Sequence, residues 1–325
     1  WISEEELRGY ISLGSRLQGH ESMDVVPGVD ITPSGSLGMG LSYGVGAAIA
    51  GKMNGKDFKV YAFLGDGEEQ EGNVSEAARH AVNQGLDNLV CILDRNKKQL
   101  SHPTSDVDKS DVETIWGGYG WDTLIIDGHN FDKIRHAFNQ VRNAKGPTLI
   151  IADTIKGLGI YGAEESINGY HTISSCPKDK LDRAIEETEY QKGTIRLPRQ
   201  SLIIPKRTYR KIDIVESAPL DLTNLEDATD VYLRNLEVKL GRERVNFYIM
   251  TADLVDRNYI QSFDFSPTTQ FIDAGIREQH LFAMAHGIST TDTNSRIWIH
   301  SGDSFLYRAS DQLNAICQGH SPMLI

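Results

Sequence analysis

The feature that most constrains this chain is a pair of apolar runs, each ending near a residue able to hold a ligand. Lys59-Val-Tyr-Ala-Phe-Leu64 stops at Gly65-Asp66-Gly67, and Asn88-Leu-Val-Cys-Ile-Leu93 stops shortly before Asn96. Continuous apolar runs of this length predict parallel strands buried on both faces. In an open parallel sheet, ligands bind beyond the carboxyl ends of the strands. Asp66 and Asn96 stand at two such ends, so their side-chain oxygens can converge on one point. A carboxylate, an amide oxygen and a backbone carbonyl suit a hard cation such as Mg²⁺, with diphosphate oxygens completing the octahedron. Gly67 lets the backbone approach phosphates closely. Gly-Asp-Gly alone is most often an ordinary turn, and it becomes specific only with Asn96 behind the next strand.

The surrounding sequence supplies the helices such a sheet needs. Asn73-Val-Ser-Glu76 predicts a helix cap with its reciprocal Glu. Val74, Ala77, Ala78, Ala81 and Val82 follow at helical spacing, and Gly85 closes the helix. Strands are predicted over Leu124-Ile-Ile126 and from Thr148 to Thr154, with an amphipathic helix between them from Phe131 to Ala144. Upstream, residues 1–20 predict a short helix, residues 27–40 a glycine-rich loop, and Leu41 to Met53 a helix packed closely on a sheet. Strands alternating with helices in this way predict a doubly wound, parallel α/β domain. Residues 173–222 carry Pro177, Pro198, Pro205 and Pro219 without periodicity, and read as a linker with one helix from Leu181 to Glu189. From Asp227 the pattern resumes with a helix to Leu240, strands at 246–250 and 270–273, a helix from Glu278 to Gly287 and a strand at 297–299. The expected organisation is an α/β domain over 1–175, a linker over 176–226, and a second, incomplete parallel-sheet domain over 227–325.

Charge and composition exclude several functions. The net charge of −12 argues against a nucleic-acid binder, which needs a basic face to neutralise phosphates. Helix N-termini and a divalent cation can nevertheless hold a diphosphate without many basic side chains. No apolar stretch approaches the roughly eighteen residues of a membrane span. The first residues, Trp1-Ile-Ser-Glu-Glu5, lack the basic and apolar regions of a signal peptide. Cys91, Cys176 and Cys317 are scattered and form no CxxC pair, so a reducing, cytoplasmic setting is expected.

Taken together, Gly65-Asp-Gly-Glu-Glu-Gln-Glu-Gly72, Glu76-Ala-Ala78, Leu86-Asp-Asn-Leu89 and Asp94-Arg-Asn96 resemble the thiamine diphosphate motif of the transketolase family. The resemblance implies that Asp66 and Asn96 hold Mg²⁺, with the Lys98 carbonyl as a third protein ligand. Lys97 stands where the family often has Gly. Gly14 to His20 and Gly35-Ser-Leu-Gly-Met-Gly40 also resemble transketolases. By that likeness His20 lies beside the cofactor's reactive carbon and contacts substrate hydroxyls, while the backbone from Gly35 to Leu37 contacts the cofactor. Asp153-Thr-Ile-Lys156-Gly-Leu-Gly159 and His171 resemble the family's Lys-Gly-x-Gly segment and downstream His. This places Lys156 as a phosphate neighbour or a solvated charge, and His171 as an active-site candidate.

In the second domain, Asp273-Ala-Gly-Ile-Arg-Glu278 and the helix after it resemble the aminopyrimidine domain of transketolases and deoxyxylulose phosphate synthases. On its own, Glu278 is a residue favoured by a helix N-terminus. The resemblance makes it the carboxyl group that hydrogen-bonds the cofactor's pyrimidine ring. Ser301 to Gln312 resembles the stretch that stacks on the aminopyrimidine, which selects Phe305 for stacking and Arg308 for the substrate channel. The implied activity is transfer of a two-carbon ketol unit from a ketose donor to an aldehyde acceptor, in a homodimer with active sites at the interface. An additional chain could supply the regions that transketolases carry beyond this sequence. A pyruvate-decarboxylating synthase and a non-catalytic paralogue are the alternatives, and the intact Asp66, Asn96 and Glu278 argue against the second.

Overall fold

The apolar runs form two separate four-stranded parallel sheets. The computed structural model describes residues 2–20, 26, 35–171, 176–190, 225–254, 266–301, 303–319, 321, 323 and 324. These fall into two compact units, one within Phe58–Ile203 and the other drawing on Ile2–Asp57 and Ile204–Ile325. Among the described residues the helices are, in chain order, α1 (Glu4–Arg8), α2 (Met39–Met53), α3 (Gly72–Asn83), α4 (Thr104–Val107), α5 (Val112–Tyr119), α6 (Phe131–Val141), α7 (Lys178–Tyr190), α8 (Leu225–Arg242), α9 (Glu278–Thr291), α10 (Asp303–Leu306) and α11 (Ser310–Gln318). Among the described residues no helix is long and apolar enough to cross a membrane.

The first unit holds β1 (Val60–Gly65), β2 (Leu89–Arg95), β3 (Asp122–Asp127) and β4 (Thr148–Asp153) in the order β1-β2-β4-β3. Its centre is β2 and β4, whose apolar residues are buried as expected for strands covered on both faces. Val90, Ile92 and Ile150 pack on Ala137 and Val141 of α6. Each buried Val or Ile of this group contributes about 1.5–3 kcal/mol. Asn130 caps α6 by accepting from the N–H groups of Asp132 and Lys133. Trp116 and Trp121 meet edge to face at 4.8 Å. Their indole N–H groups donate to Glu69 (2.8 Å) and the Ala78 carbonyl (2.9 Å), so both buried rings are satisfied.

Two expectations change here. β1 is buried on one face only, with Ala62 and Leu64 inside and Tyr61 and Phe63 on the more open face. Tyr61 lies against Phe138 of α6 at 5.3 Å, while Phe63 is 68% exposed. The cap at Asn73 does not form either. Glu71 is extended as the chain leaves a short turn at Glu68–Gln70, so α3 starts at Gly72 and Asn73 is buried inside its first turn. Gly85 does follow the end of α3 in a left-handed conformation, as expected.

The second unit holds β5 (Asn246–Thr251), β6 (Thr269–Asp273), β7 (Ser295–His300) and β8 (Met323–Leu324) in the order β6-β5-β7-β8. Leu233 and Leu240 of α8 cover Val245, Phe247 and Ile249. Helices α2 and α9 are both buried along almost their whole length. A helix apolar on every side belongs inside a protein, and α2 supplies one from Gly, Ala and Leu. Its packing on α9 groups residues 2–57 with the second sheet, whereas the sequence reading groups them with the first. Asp292, buried just past α9, accepts from Asn54 (3.0 Å), Asn246 (2.7 Å) and the Tyr248 hydroxyl (3.2 Å), tying α2 to β5. The helix expected at 181–189 is α7, and residues 191–224 of the expected linker lie outside the described residues.

Candidate active site

In the first unit, β1 and β2 end side by side, with Gly65 in register with Asp94. Asp66 and Asn96 therefore leave adjacent strands at the same edge of the sheet. Asp66 Oδ2 accepts from the Lys97 N–H at 2.5 Å, and Asn96 Oδ1 accepts from the Lys98 N–H at 3.0 Å. Both oxygens are gathered on one turn, which requires Lys97 at φ 63°. A left-handed residue favours Gly, which explains why Gly is the frequent choice there. The Lys98 ammonium donates to the carbonyls of Glu164 (2.5 Å) and Ser166 (2.8 Å), anchoring the residue whose carbonyl is the candidate third ligand. Gly67 has φ −73°, so backbone conformation does not demand glycine there.

These residues fit Mg²⁺. The donors are a carboxylate, an amide and a carbonyl, all hard oxygens. Burial raises the Asp66 carboxyl above the ordinary carboxylate range, the N–H groups of Lys97 and Gly67 oppose the rise, and Asp94 adds to it. A partly desolvated carboxylate beside a second acid is one that a cation would stabilise. Among the described residues no group of three or more His, Cys, Asp or Glu is arranged for a metal.

Lys156 and His171 meet each other, with Nζ 3.2 Å from Nδ1. The described contacts do not join either to Asp66 or Asn96.

In the second unit, Glu278 is the first residue of α9 and only 4% exposed. Arg308, largely exposed, reaches it with Nη1 3.3 Å from Oε2. His20 lies beside Gly35, its ring carbons 3.7–3.8 Å from where a Cβ would stand on that glycine. The loop continues to Ser36, whose hydroxyl donates to Asp311 at 2.8 Å, and to exposed Leu37. This unit thus gathers Glu278 with Arg308 and His20 with Gly35, while Phe305 is half-buried at the end of α10. Arg308, expected in a substrate channel, is paired with Glu278 and keeps most of its side chain exposed.

The sequence reading assigned no role to Asp94, Thr154 or Asp311. Asp94 precedes Asn96 by two positions, hence on the same face of an extended chain, which is a signal that could have marked it. Nothing local marks Asp311, because its partner Ser36 is far away in the chain.

Comparison with known proteins bears on the family and the fold. Residues 2–216 match the family described as "Transketolase, thiamine diphosphate binding domain". The chain is 31% identical over 324 residues to "Transketolase-like protein 2" of Homo sapiens, covering 96% of this chain and 50% of that protein. It is 36% identical over 193 residues to one of the subunits of apulose-4-phosphate transketolase from Phocaeicola vulgatus, covering 56% of this chain and 67% of the relative. The chain thus spans about half the length of the transketolases it matches. The crystal structure of transketolase from Campylobacter jejuni superposes with a TM-score of 0.73 at 21% identity, over 98% of this chain and 55% of that one. At that identity the likeness speaks for the fold.

Proposed function

The chain belongs to the transketolase family, and from that premise we propose that it takes part in thiamine diphosphate- and Mg²⁺-dependent transfer of a two-carbon ketol unit from a ketose donor to an aldehyde acceptor. The observation that carries this reading is the convergence of Asp66 and Asn96 on one turn, in the unit that holds most of the matched domain. Asp66, Asn96 and the Lys98 carbonyl would hold the cation, and Gly67 and Lys156 would border the diphosphate. The backbone of Gly35 and Leu37 would border the cofactor, and Phe305 would stack on its pyrimidine ring. Bound thiamine diphosphate supplies the carbanion chemistry. Glu278 would hold and return a proton at the pyrimidine ring nitrogen. His20 and His171 would orient and exchange protons with the sugar hydroxyls, and Arg308 would border the substrate.

We place the enzyme in the cytoplasm as a homodimer with sites at its interface, a setting in keeping with three free cysteines. The multi-chain make-up implied by the name of one relative favours a second arrangement, in which another chain completes the enzyme. The test is calorimetry of thiamine diphosphate with Mg²⁺ and with excess chelator, followed by a screen of ketose phosphates, free ketoses and pyruvate as donors. Cofactor binding should need the cation, and ketoses should react. Unchanged affinity in chelator would overturn the metal site, and turnover of pyruvate alone would favour the decarboxylating synthase.

A further inference from the structure

We propose that Asp94 is the positioning residue of the cation site, turning the Asn96 amide so that its oxygen and not its nitrogen faces the ion. The inference rests on the reading of Asp66 and Asn96 as metal ligands. The two ends of an Asn amide have nearly the same shape, but only the oxygen can bind a cation. What decides between them is the surrounding hydrogen-bond pattern.

Here both ends are determined. Asp94 Oδ2 lies 3.1 Å from Asn96 Nδ2. A carboxylate only accepts, so the group facing it must be the NH₂. At the other end, Oδ1 accepts from the Lys98 N–H at 3.0 Å. The flipped amide would set oxygen against carboxylate and NH₂ against N–H, so both contacts fail together. Asp94 is itself held, because its Oδ1 accepts from the Thr154 hydroxyl. Thr154 follows β4, and its N–H donates to the Arg95 carbonyl at 3.3 Å. Arg95 and Asp153, adjacent in register on β2 and β4, form two hydrogen bonds at 2.6 and 2.8 Å. The carboxylate that orients Asn96 is therefore fixed by the ends of two strands rather than by a loop. Outer partners of this kind typically govern metal affinity by about 10–100-fold.

The test measures Mn²⁺ affinity of the full chain with thiamine diphosphate present, from the spin-resonance signal of free Mn²⁺. Asp94→Ala should weaken Mn²⁺ by about 10–100-fold. Asp94→Asn keeps an acceptor oxygen for Asn96 and should stay within a few-fold of wild type. Thr154→Val should fall between them. Asp94→Ala binding Mn²⁺ like wild type, while Asp66→Ala does not, would overturn the proposal and leave the metal site standing. Asp94→Asn as weak as Asp94→Ala would mean that charge, not orientation, is what Asp94 provides. Wild-type affinity in Asp66→Ala would overturn the metal-site reading and this inference with it. Thermal melting of each variant checks folding, and if Asp94→Ala does not fold, wild-type affinity in Thr154→Val overturns the proposal.

Discussion

Gly46 of α2 and Gly287 of α9 occupy the crossing of the two helices, each facing the other helix's backbone where a side chain would begin. A Cβ on Gly46 would stand 2.1 Å from the Met284 carbonyl oxygen, and one on Gly287 would stand 2.2 Å from that of Tyr43. Backbone on both sides leaves no flexible group to move aside. Gly46→Ala and Gly287→Ala should each destabilise the fold by about 3 kcal/mol, the upper end for overpacking, despite Ala's better helix propensity. Denaturant unfolding of both variants checks this. Stabilisation by either alanine would mean that the helices can part without loss.

A substitution at Glu278 should separate cofactor activation from cofactor binding. Glu278→Gln keeps a hydrogen-bonding side chain of the same shape but cannot carry a proton. Thiamine diphosphate affinity should stay near wild type while kcat falls by two or more orders of magnitude, the usual range for losing a positioned proton carrier. The neutral amide also removes the ion pair with Arg308. That arginine is largely exposed, so its release should cost little stability. Calorimetry and steady-state kinetics on one preparation decide the matter. Near wild-type turnover would assign activation to another residue.

Glu69 should make the first unit less stable at neutral pH than it would be with an amide. Burial raises its carboxyl above the ordinary 4.5, the Trp116 N–H opposes the rise, and Asp108 adds to it. As pH climbs past 4.5 the unfolded chain loses this proton before the folded one, so stability falls. Glu69→Gln keeps an acceptor for Trp116 and should gain stability at pH near 7, with the gain vanishing below the ordinary value. Asp153 works in the opposite sense. Arg95 holds its carboxyl below 3.8, so its contribution is present above that pH and lost in acid. Unfolding curves of wild type and Glu69→Gln at neutral and acid pH test the sign, and a less stable variant at neutral pH would refute it.

The strands were legible because burial writes itself into apolar runs, and β2 and β4 match their expected spans to within a residue or two. The turn that gathers Asp66 and Asn96 was legible too, since both residues stand close behind apolar runs, although β1 proves to be buried on one face only. Helices α5 and α11 were missed, being short, and their anchoring contacts, Trp116 on Trp121 and Ala315 on Met39 and Ala283, are with residues that the local sequence does not reveal. The place of α2 was missed for a different cause. A helix apolar on every side does not reveal which neighbour it packs against, and only the Gly46–Gly287 crossing does.

The last expectation concerns assembly. Asp66 and Asn96 belong to one compact unit and Glu278 to the other, so cofactor tail and cofactor head would be held by separate parts of the chain. If the site is shared across a twofold interface, the tail-binding unit of one protomer works with the head-binding unit of its partner. Each homodimer then holds two sites, and a lone protomer leaves half of each open. Asp66→Ala and Glu278→Ala chains should each be inactive alone. When the two are refolded together, a mixed dimer places both lesions in one site and leaves the other intact. Half of an equal mixture should be such dimers, each with one working site, so activity should return to about a quarter of wild type if pairing is random. Differently tagged chains purified through both tags isolate the mixed dimer for assay. A mixed dimer that forms yet stays inactive would show that each site is built within one protomer.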